Sequence, residues 1–197
     1  MNDLKILFLG NNKSPVFKWL IDNGENVMCS EGAINKNFVL HHKFNFLISY
    51  GYRHLLKKNI LNLFKESSIN LHISYLPFNK GADPNFWSFV ENSPKGVTIH
   101  KINEGLDTGE IIVQKKVFFK NVNQQTLSTT YGILQNEIQS LFYENWYSIK
   151  NKKIKSAPQI GSGSIHRIND IKKYNFLLEK EGWNTKIKDI LNLNNEG

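Results

Sequence analysis

Short apolar runs alternate with helical segments along most of this sequence, and that alternation constrains the fold more than any other feature. The first run is apolar almost throughout, as strands of a buried parallel sheet are. The last two runs follow each other directly, which predicts an antiparallel hairpin at the edge of the sheet. We therefore predict an α/β fold, with a mostly parallel sheet and helices on both faces. The predicted strands are Leu4–Leu9, Asn26–Cys29, Phe44–Arg53, Ser68–Ile73, Lys95–Ile102 and Glu110–Phe119.

Local end signals place helices between these strands. In the first helix a serine supplies the N-cap, a proline occupies the first turn, and Asn23-Gly24 ends the segment. Residues 30–43 carry no clear pattern. The first predicted helix begins at Ser14-Pro15. Two more cover His54–Phe64 and Asp83–Asn92, and a long helix has a buried face from Leu127 to Phe142.

The character of the sequence changes near Ser156. The polar and glycine-rich stretch "GSGSIHR" follows, and then "INDIKKYNFLLEKEG", which predicts a helix packed on the outside. The 197 residues have room for one domain with a single sizeable core. We expect residues 1–155 to form that core and residues 156–197 to form a short C-terminal appendage packed on it.

Composition limits the classes of partner. The formal charge of +8 points to anionic partners, either nucleic acid or small anionic substrates. Lys150–Lys155 is the only dense basic run; it is typical of a solvated connector, and RNA binding through it is the alternative. Cys29 is the single cysteine, which excludes a disulfide scaffold and favours a reducing cytoplasm. The N-terminus turns polar too early for a signal peptide, and no apolar run suggests a membrane span.

Polar residues gather where predicted strands end, which is where open α/β sheets bind ligands. Three such clusters are Asn11 with Asn12, the stretch Tyr50–Arg53, and Asn70 with His72. Because Asn70 and His72 are two positions apart on one strand, their side chains share a face. An amide donor beside an imidazole suits a carbonyl whose oxygen becomes negative. Asp107, in the hairpin loop, would hold that imidazole protonated and oriented if folding brings the two together.

Structural explanations compete with each of these assignments. A lone strand histidine is more often a hydrogen-bonded structural residue, and an aspartate before Thr-Gly is most often a turn former. The polar loop after the first strand has too few glycines for a phosphate-binding motif, so a plain connection stays open. His41 and His42 would face opposite ways on a strand, and no paired-ligand spacing occurs elsewhere, so no metal site is expected.

The order of the motifs brings a resemblance to a known family. The segments "INLHISYLPFNKGADPNFWSF" and "GVTIHKINEGLDTGEII" resemble the folate-dependent formyltransferases, densely from about Phe44 to Val117 and more loosely over Leu4–Gly24. That family includes the glycinamide ribonucleotide, methionyl-tRNA and sugar-nucleotide N-formyltransferases. The resemblance implies a Rossmann-like sheet, in agreement with the strand pattern, and 10-formyltetrahydrofolate as formyl donor.

The resemblance also assigns residues, in three groups. It implies Asn70, His72 and Asp107 as the catalytic residues, with an amine attacking the formyl carbon and Asn70 and a protonated His72 stabilising the oxyanion. By analogy, the pterin lies against Tyr50, Gly51, Tyr52, Arg53, Asn103, Glu104, Gly105 and Leu106. Groups expected near the acceptor's phosphates are Asn11, Asn12, Lys13, Arg53, Lys80 and Gly81.

The stretch "GADPNFW" and the tail look most like the sugar-nucleotide branch of the family. The first expectation for the acceptor is the short pseudaminic-acid-pathway substrate UDP-4-amino-4,6-dideoxy-L-AltNAc, used in surface glycan biosynthesis; a dTDP-amino-dideoxyhexose is the second. Methionyl-tRNA formyltransferases carry a further C-terminal barrel, for which the residues after Ser156 are too few, so nucleic acid is not expected as substrate. Glycinamide ribonucleotide formylation and a non-catalytic folate- or nucleotide-binding module are the alternatives. Trp146 and Tyr147 are expected to be exposed aromatics, which would allow a homodimer.

Overall fold

Six strands form one mixed sheet in the computed structural model, which describes residues 4–193. Its order is β2-β1-β3-β4-β6-β7; the first four strands in that order pair in parallel, and β6 joins β4 and β7 in antiparallel fashion. This confirms the predicted mostly parallel sheet with an antiparallel edge hairpin. The strands are β1 (Lys5–Gly10), β2 (Asn26–Ser30), β3 (Phe46–Tyr50), β4 (Ser68–His72), β5 (Lys80–Gly81), β6 (Gly96–Lys101), β7 (Ile111–Lys116) and β8 (Ile165–His166).

Helices cover both faces of the sheet. One core cluster packs β1, β3, β4 and β6 against α1 and α5, and a second packs the opposite side of β1 and β3 against α2 and α3. Short 3-10 turns lie at Val122–Gln124, Asp170–Tyr174 and Gly182–Asn184. The α-helices are α1 (Pro15–Asp22), α2 (Lys36–His42), α3 (Lys58–Phe64), α4 (Pro84–Val90), α5 (Leu127–Lys150), α6 (Asn175–Leu178) and α7 (Ile187–Asn192). None of the helices within residues 4–193 is both long and apolar enough to cross a bilayer.

Helix ends follow the side chains that cap them. Ser14 Oγ accepts a hydrogen bond from the Val16 amide, and Pro15 opens α1, as the sequence predicts. Asn35 caps α2 in the same way through the Phe38 amide. That helix occupies residues to which the sequence pattern gave no element, and it overturns the strand expected at His41 and His42.

Two further expectations are wrong. Trp146 is 2% exposed because its ring packs against Phe46 and Phe142 inside the core, so only Tyr147, at 63%, remains as an exposed aromatic of the pair. The single helix expected after Arg167 is instead a 3-10 turn followed by the four-residue helix α6. Short segments of this kind take their shape from the surface on which they pack rather than from their own helix propensity.

Residues after Ser156 run back along the core in two contacts. Ala157 bridges Ile111, the first residue of β7, and β8 pairs in parallel with β5. Further on, Ile187 and Ile190 of α7 are fully buried in a cluster with aromatic side chains of α4. The C-terminal segment therefore contacts the loop after β4 as well as the outer helices.

Candidate active site

Strand β4 presents Asn70 and His72 on one face, and folding brings Asp107 to them from the loop between β6 and β7. Asn70 Nδ2 donates to Asp107 Oδ1 at 3.1 Å, and His72 Nδ1 lies 3.6 Å from Asp107 Oδ2. The two strand positions share a face because side chains alternate along a strand. Three residues that are as many as 37 positions apart in the sequence thus meet in one cluster.

His100 completes this cluster, and it was missed by the sequence reasoning. It lies opposite Asn70 in the antiparallel register of β4 and β6, and is 2% exposed. Its Nδ1 faces the Lys101 carbonyl at 2.8 Å, so Nδ1 carries the proton, and its Nε2 lies 3.2 Å from Asn70 Nδ2 and 3.4 Å from Asp107 Oδ1. His100 stands in the quoted segment "GVTIHKI", but its place beside Asn70 depends on a strand register that the sequence alone does not show.

Asp107 is the negative centre of the cluster. Burial alone would raise the pKa of its carboxyl, but His72, His100 and the Gly81 amide lower it, and the net pKa lies well below its usual range. The Gly81 N–H donates to Oδ2 at 2.8 Å, opposite the Asn70 donor on Oδ1. The carboxylate is therefore held ionised by donors on both oxygens.

His72 does not carry the charge that the sequence reasoning gave it. Burial lowers the pKa of its imidazole, and the neighbouring His100 ring adds to this, although Asp107 and the Asn79 carbonyl act in the opposite direction. Its Nε2 lies 3.2 Å from the Asn79 carbonyl oxygen, an acceptor, so Nε2 is the nitrogen that holds the proton. The 3.6 Å separation from Asp107 exceeds an ordinary charged hydrogen bond. The lowered pKa and this separation favour a neutral His72 in the ligand-free site over the protonated form that the resemblance implies.

The loop after β4 supplies backbone groups to both ionisable partners. It follows a cis peptide bond between Leu76 and Pro77, and offers the Asn79 carbonyl to His72 and the Gly81 amide to Asp107. Gly81 has φ +89°, and a Cβ there would lie 2.2 Å from the His166 carbonyl oxygen. Only glycine fits such a left-handed, tightly packed position without displacing the backbone of β8.

The stretch Tyr50–Arg53, expected against the pterin, lies at the end of β3 with its side chains divided. The Tyr50 ring packs on the α5 side, with its hydroxyl bonded to Gln135 and Gln139, and burial raises the pKa of that hydroxyl to about 12. The Tyr52 hydroxyl donates to the Gly32 carbonyl at 2.9 Å. The structure thus directs the Tyr50 ring away from the face that carries Asn70.

Gly51 and Arg53 belong to the turn that follows β3. Gly51 has φ +68°, the left-handed turn expected after a strand end. The exposed Arg53 lowers the pKa of Asp83 by its charge, whereas burial raises it, with a net increase. Arg53 therefore lies within electrostatic reach of the loop that ends at Asp83.

The other expected pterin loop, residues 103–106, is exposed and shaped by its own asparagine. Asn103 Oδ1 accepts from the Gly105 amide and from the Thr108 hydroxyl, which closes the turn before Asp107. Glu104 pairs with Lys58 at 2.9 Å on the surface. Leu106 is 44% exposed beside Gly81, so an apolar edge remains available at the cluster.

The residues expected near phosphates are only partly free to bind them. The Lys13 amide is bound by Asn11 Oδ1 and the Asn12 amide by the Glu31 carboxylate, at 2.7 and 3.0 Å. Lys80 Nζ donates to the Ser162 carbonyl at 3.0 Å. The Glu31 carboxylate thus already accepts a hydrogen bond from the Asn12 amide in the loop before α1.

A separate cavity of about 400 Å³ lies on the opposite side of the sheet. Ile69 and Lys101, which line it, are sequence neighbours of Asn70 and His100 and face the other way. Within residues 4–193, no group of three His, Cys, Asp or Glu side chains is arranged to hold a metal ion.

An amide, two imidazoles and a carboxylate on one edge of an α/β sheet make up a site of the acyl-transfer class, with donors suited to a carbonyl oxygen that gains charge. A family model described as formyl transferase matches residues 12–143. The chain belongs to the formyl transferase family.

Individual relatives show how far the likeness extends. The formyltransferase PseJ from Anoxybacillus kamchatkensis, solved with UDP-4,6-dideoxy-4-formamido-L-AltNAc and tetrahydrofolate, is 46% identical with a TM-score of 0.88, covering 95% of this chain and 97% of that one. A 4-N formyltransferase from Francisella tularensis, 22% identical with a TM-score of 0.76, covers 96% of this chain and 86% of its own length, and shows the shared fold.

Sequence comparison also finds methionyl-tRNA formyltransferases. The one from Thermodesulfovibrio yellowstonii is 33% identical over 168 residues, which is 84% of this chain. The chain spans 51% of the length of that protein and 36% of a Prochlorococcus marinus relative that is 38% identical over 123 residues.

Proposed function

We propose that this protein is an N-formyltransferase that moves the formyl group of 10-formyltetrahydrofolate to the primary amine of UDP-4-amino-4,6-dideoxy-L-AltNAc. The observation that carries the proposal is the likeness to PseJ, 46% identical over 95% of this chain, whose bound nucleotide sugar carries a formamido group at position 4. Its precursor is the corresponding amine. The cluster of Asn70, His72, His100 and Asp107 supplies the groups that such a transfer needs.

In the proposed reaction, the neutral amine attacks the formyl carbon, and the carbonyl electron pair moves to the formyl oxygen. Asn70 is the donor for that oxygen. Both of its amide hydrogens face acceptors in the ligand-free cluster, Asp107 Oδ1 and His100 Nε2, so the oxyanion takes one of these two bonds. The tetrahedral intermediate collapses when the bond to the folate nitrogen breaks.

Protons must move from the attacking amine to the leaving folate nitrogen. His72 is buried and neutral in the resting site, which leaves its Nδ1 lone pair as a base beside the carboxylate of Asp107. Asp107 then stabilises the imidazolium that forms when His72 takes the amine proton, and the same proton passes to the folate nitrogen. In this scheme His72 is charged only transiently, whereas Asp107 stays ionised throughout the reaction.

The net positive charge of the chain supports an anionic acceptor. The chain carries a net +8, and both folate carboxylates and a nucleotide diphosphate are anions. Arg53 near the loop that ends at Asp83 is the side chain we assign to the diphosphate, with the Asn11–Lys13 loop as the second contact. The cytoplasm, where such substrates are made, remains the predicted location.

A panel assay tests the proposal. Purified protein would be incubated with 10-formyltetrahydrofolate and, separately, UDP- and dTDP-linked amino-dideoxy sugars and glycinamide ribonucleotide, and products read by mass spectrometry. The expected result is gain of one formyl group on the UDP-4-amino sugar and none with Asp107→Asn under the same conditions. Binding of reduced folate without a formylated product from any amine would overturn the proposal in favour of a non-catalytic module.

Formylation of methionyl-tRNA is the second candidate, because a relative with that function is 33% identical over 84% of this chain. Methionyl-tRNA belongs in the same panel, with release of formylmethionine as the readout. Faster formylation of the tRNA than of every amino sugar would replace the first assignment with the second.

A further inference from the structure

We propose that Gln159 is a positioning residue for Asp107, and that the chain after Ser156 acts on the active site through Gln159 and through β8. The inference rests on the proposed function only in giving Asp107 its chemical role. Gln159 lies after Ser156, in the segment whose sequence suggests an appendage. Its side chain donates to backbone carbonyls of the turn that carries Asp107, so it acts through that turn.

The amide of Gln159 joins two carbonyls of that turn. Its Nε2 donates to the Asp107 carbonyl at 2.7 Å and to the Gly109 carbonyl at 2.9 Å. Asp107 has φ +51°, a left-handed conformation that non-glycine residues adopt only when their surroundings hold it. A Cβ at Gly109 would lie 1.8 Å from the Lys101 carbonyl oxygen, so the turn is pressed against the end of β6. The two hydrogen bonds therefore fix the backbone that aims the carboxylate.

The other end of the same amide explains its orientation. Gln159 Oε1 is buried and has no hydrogen-bond partner among the described residues. An unsatisfied buried acceptor is unfavourable, but the reversed amide would be worse because it would place Oε1 against two carbonyl oxygens. The orientation of the Gln159 amide is therefore set by its two donor hydrogen bonds to the turn.

A second set of contacts joins the tail to the other side of Asp107. The Lys80 amide donates to the Ser164 carbonyl, and the Ala82 amide to the His166 carbonyl, in the pairing of β5 with β8. Between them, the Gly81 amide donates to Asp107 Oδ2. One tail segment therefore fixes the backbone of Asp107 through Gln159 and its carboxylate through the strand that holds Gly81.

The test replaces the two donors without changing the size of the side chain. Gln159→Met keeps the volume and removes both hydrogen bonds, whereas Gln159→Glu sets a negative charge against two carbonyl oxygens. Gln159→His keeps one N–H donor. Gln114→Met is the matched control, because Gln114 Nε2 also donates twice, to the Leu76 carbonyl at 2.7 Å and to Thr98 Oγ1 at 2.9 Å, away from Asp107. Ile160→Ala, at an 89% exposed neighbour, controls for tail substitution itself.

The first readout is steady-state kinetics of formyl transfer. Misplacing Asp107 should lower kcat by about tenfold or more in Gln159→Met, more in Gln159→Glu and less in Gln159→His, with KM for folate nearly unchanged. Gln114→Met and Ile160→Ala should keep the wild-type kcat. Equal kcat in Gln159→Met and Gln114→Met, at equal folded fraction by urea unfolding, would overturn the proposal.

The second readout needs no substrate, so it separates this inference from the proposed function. The pH titration of the His72 ring would be followed by nitrogen-15 NMR in each variant. The titratable groups that face His72 are Asp107 and His100, and Glu91 reaches it only through Asn79. If Gln159 positions Asp107, Gln159→Met should shift the titration of His72 to lower pH, in the same direction as Asp107→Asn. An unchanged His72 titration in Gln159→Met and Gln159→Glu would refute the positioning role even if the wild type transfers formyl groups.

Discussion

His72 Nδ1 and Asp107 Oδ2 face each other across 3.6 Å, so an imidazole whose pKa is lowered by burial lies opposite a carboxylate held ionised. The other ring nitrogen, Nε2, donates a hydrogen bond to the Asn79 carbonyl, and the Gly81 amide donates to the same carboxylate oxygen. His72 Nδ1 therefore directs a lone pair, rather than a proton, toward the Asp107 carboxylate. A proton that arrives on Nδ1 converts this spacing into a charged hydrogen bond, which is the change the proposed mechanism uses.

Asp107→Asn should therefore reduce activity far more than stability. The substitution keeps the shape of the side chain but removes the charge that would stabilise a protonated His72. We expect kcat to fall by at least about a hundredfold, the usual scale for losing a group that acts in the transition state. His72→Asn should cause a comparable loss, measured by mass spectrometry of the formylated product. Near-wild-type turnover in either folded variant would reject both assignments.

The buried His72 should also make stability depend on pH. Its folded pKa lies below the ordinary value of 6.5, so its neutral form stabilises the fold above pH 6.5, and that contribution is lost as the pH falls from 6.5 toward the folded pKa. The loss approaches about 1.4 kcal/mol per pH unit for one proton. Asp107 has a depressed pKa, so its contribution changes only below its ordinary value of 3.8.

Urea unfolding between pH 7.5 and 5.5 would measure this dependence. We expect the wild type to lose stability over this interval and His72→Gln to lose less, because glutamine can still donate to the Asn79 carbonyl without titrating. The difference between the two proteins isolates His72 from the other histidines. Parallel curves for the two would show that His72 is not held neutral by the fold.

The packing of α7 on α4 can be tested by its effect on the free energy of unfolding alone. Ile187 and Ile190 are fully buried against Phe86 and Trp87 of α4. Truncating a buried isoleucine to alanine typically costs about 2–5 kcal/mol, so Ile187→Ala should lower the free energy of unfolding by that amount while kcat of the remaining folded enzyme stays near wild type. Lys188→Ala, at an exposed position of the same helix, is the control. A loss below about 0.5 kcal/mol, the range usual for surface positions, would show that α7 is not docked in solution.

Much of the sheet and half of the cluster follow from local patterns. The period of two along β4 was enough to put Asn70 and His72 on one face, and Ser14 with Pro15 was enough to start α1. Asp107 was assigned by family resemblance, because no local rule joins a hairpin loop to a strand 35 residues earlier.

What the sequence did not reveal depends on contacts between distant segments. His100 stands beside Asn70 because of the register of two antiparallel strands, and registers are set by the packed sheet as a whole. Gln159 reaches Asp107 across 52 residues and has no periodic or motif signal of its own. The neutral state of His72 was also missed, because the sequence shows the acid that would charge it but not the burial that opposes the charge.

The Glu31 carboxylate accepts a hydrogen bond from the Asn12 amide at 3.0 Å, and this contact predicts an effect on acceptor binding. If the Asn11–Lys13 loop receives the diphosphate of the acceptor, Glu31 competes for that amide and repels the incoming anion. Glu31→Gln should then lower KM for the UDP-sugar by about two- to fivefold at low salt, the scale of one exposed charge interaction, and leave kcat unchanged. Arg53→Gln should raise KM, and added salt should raise KM for the wild type by screening the same attraction. If KM responds neither to Glu31→Gln nor to salt, the diphosphate binds away from this loop, through uncharged groups.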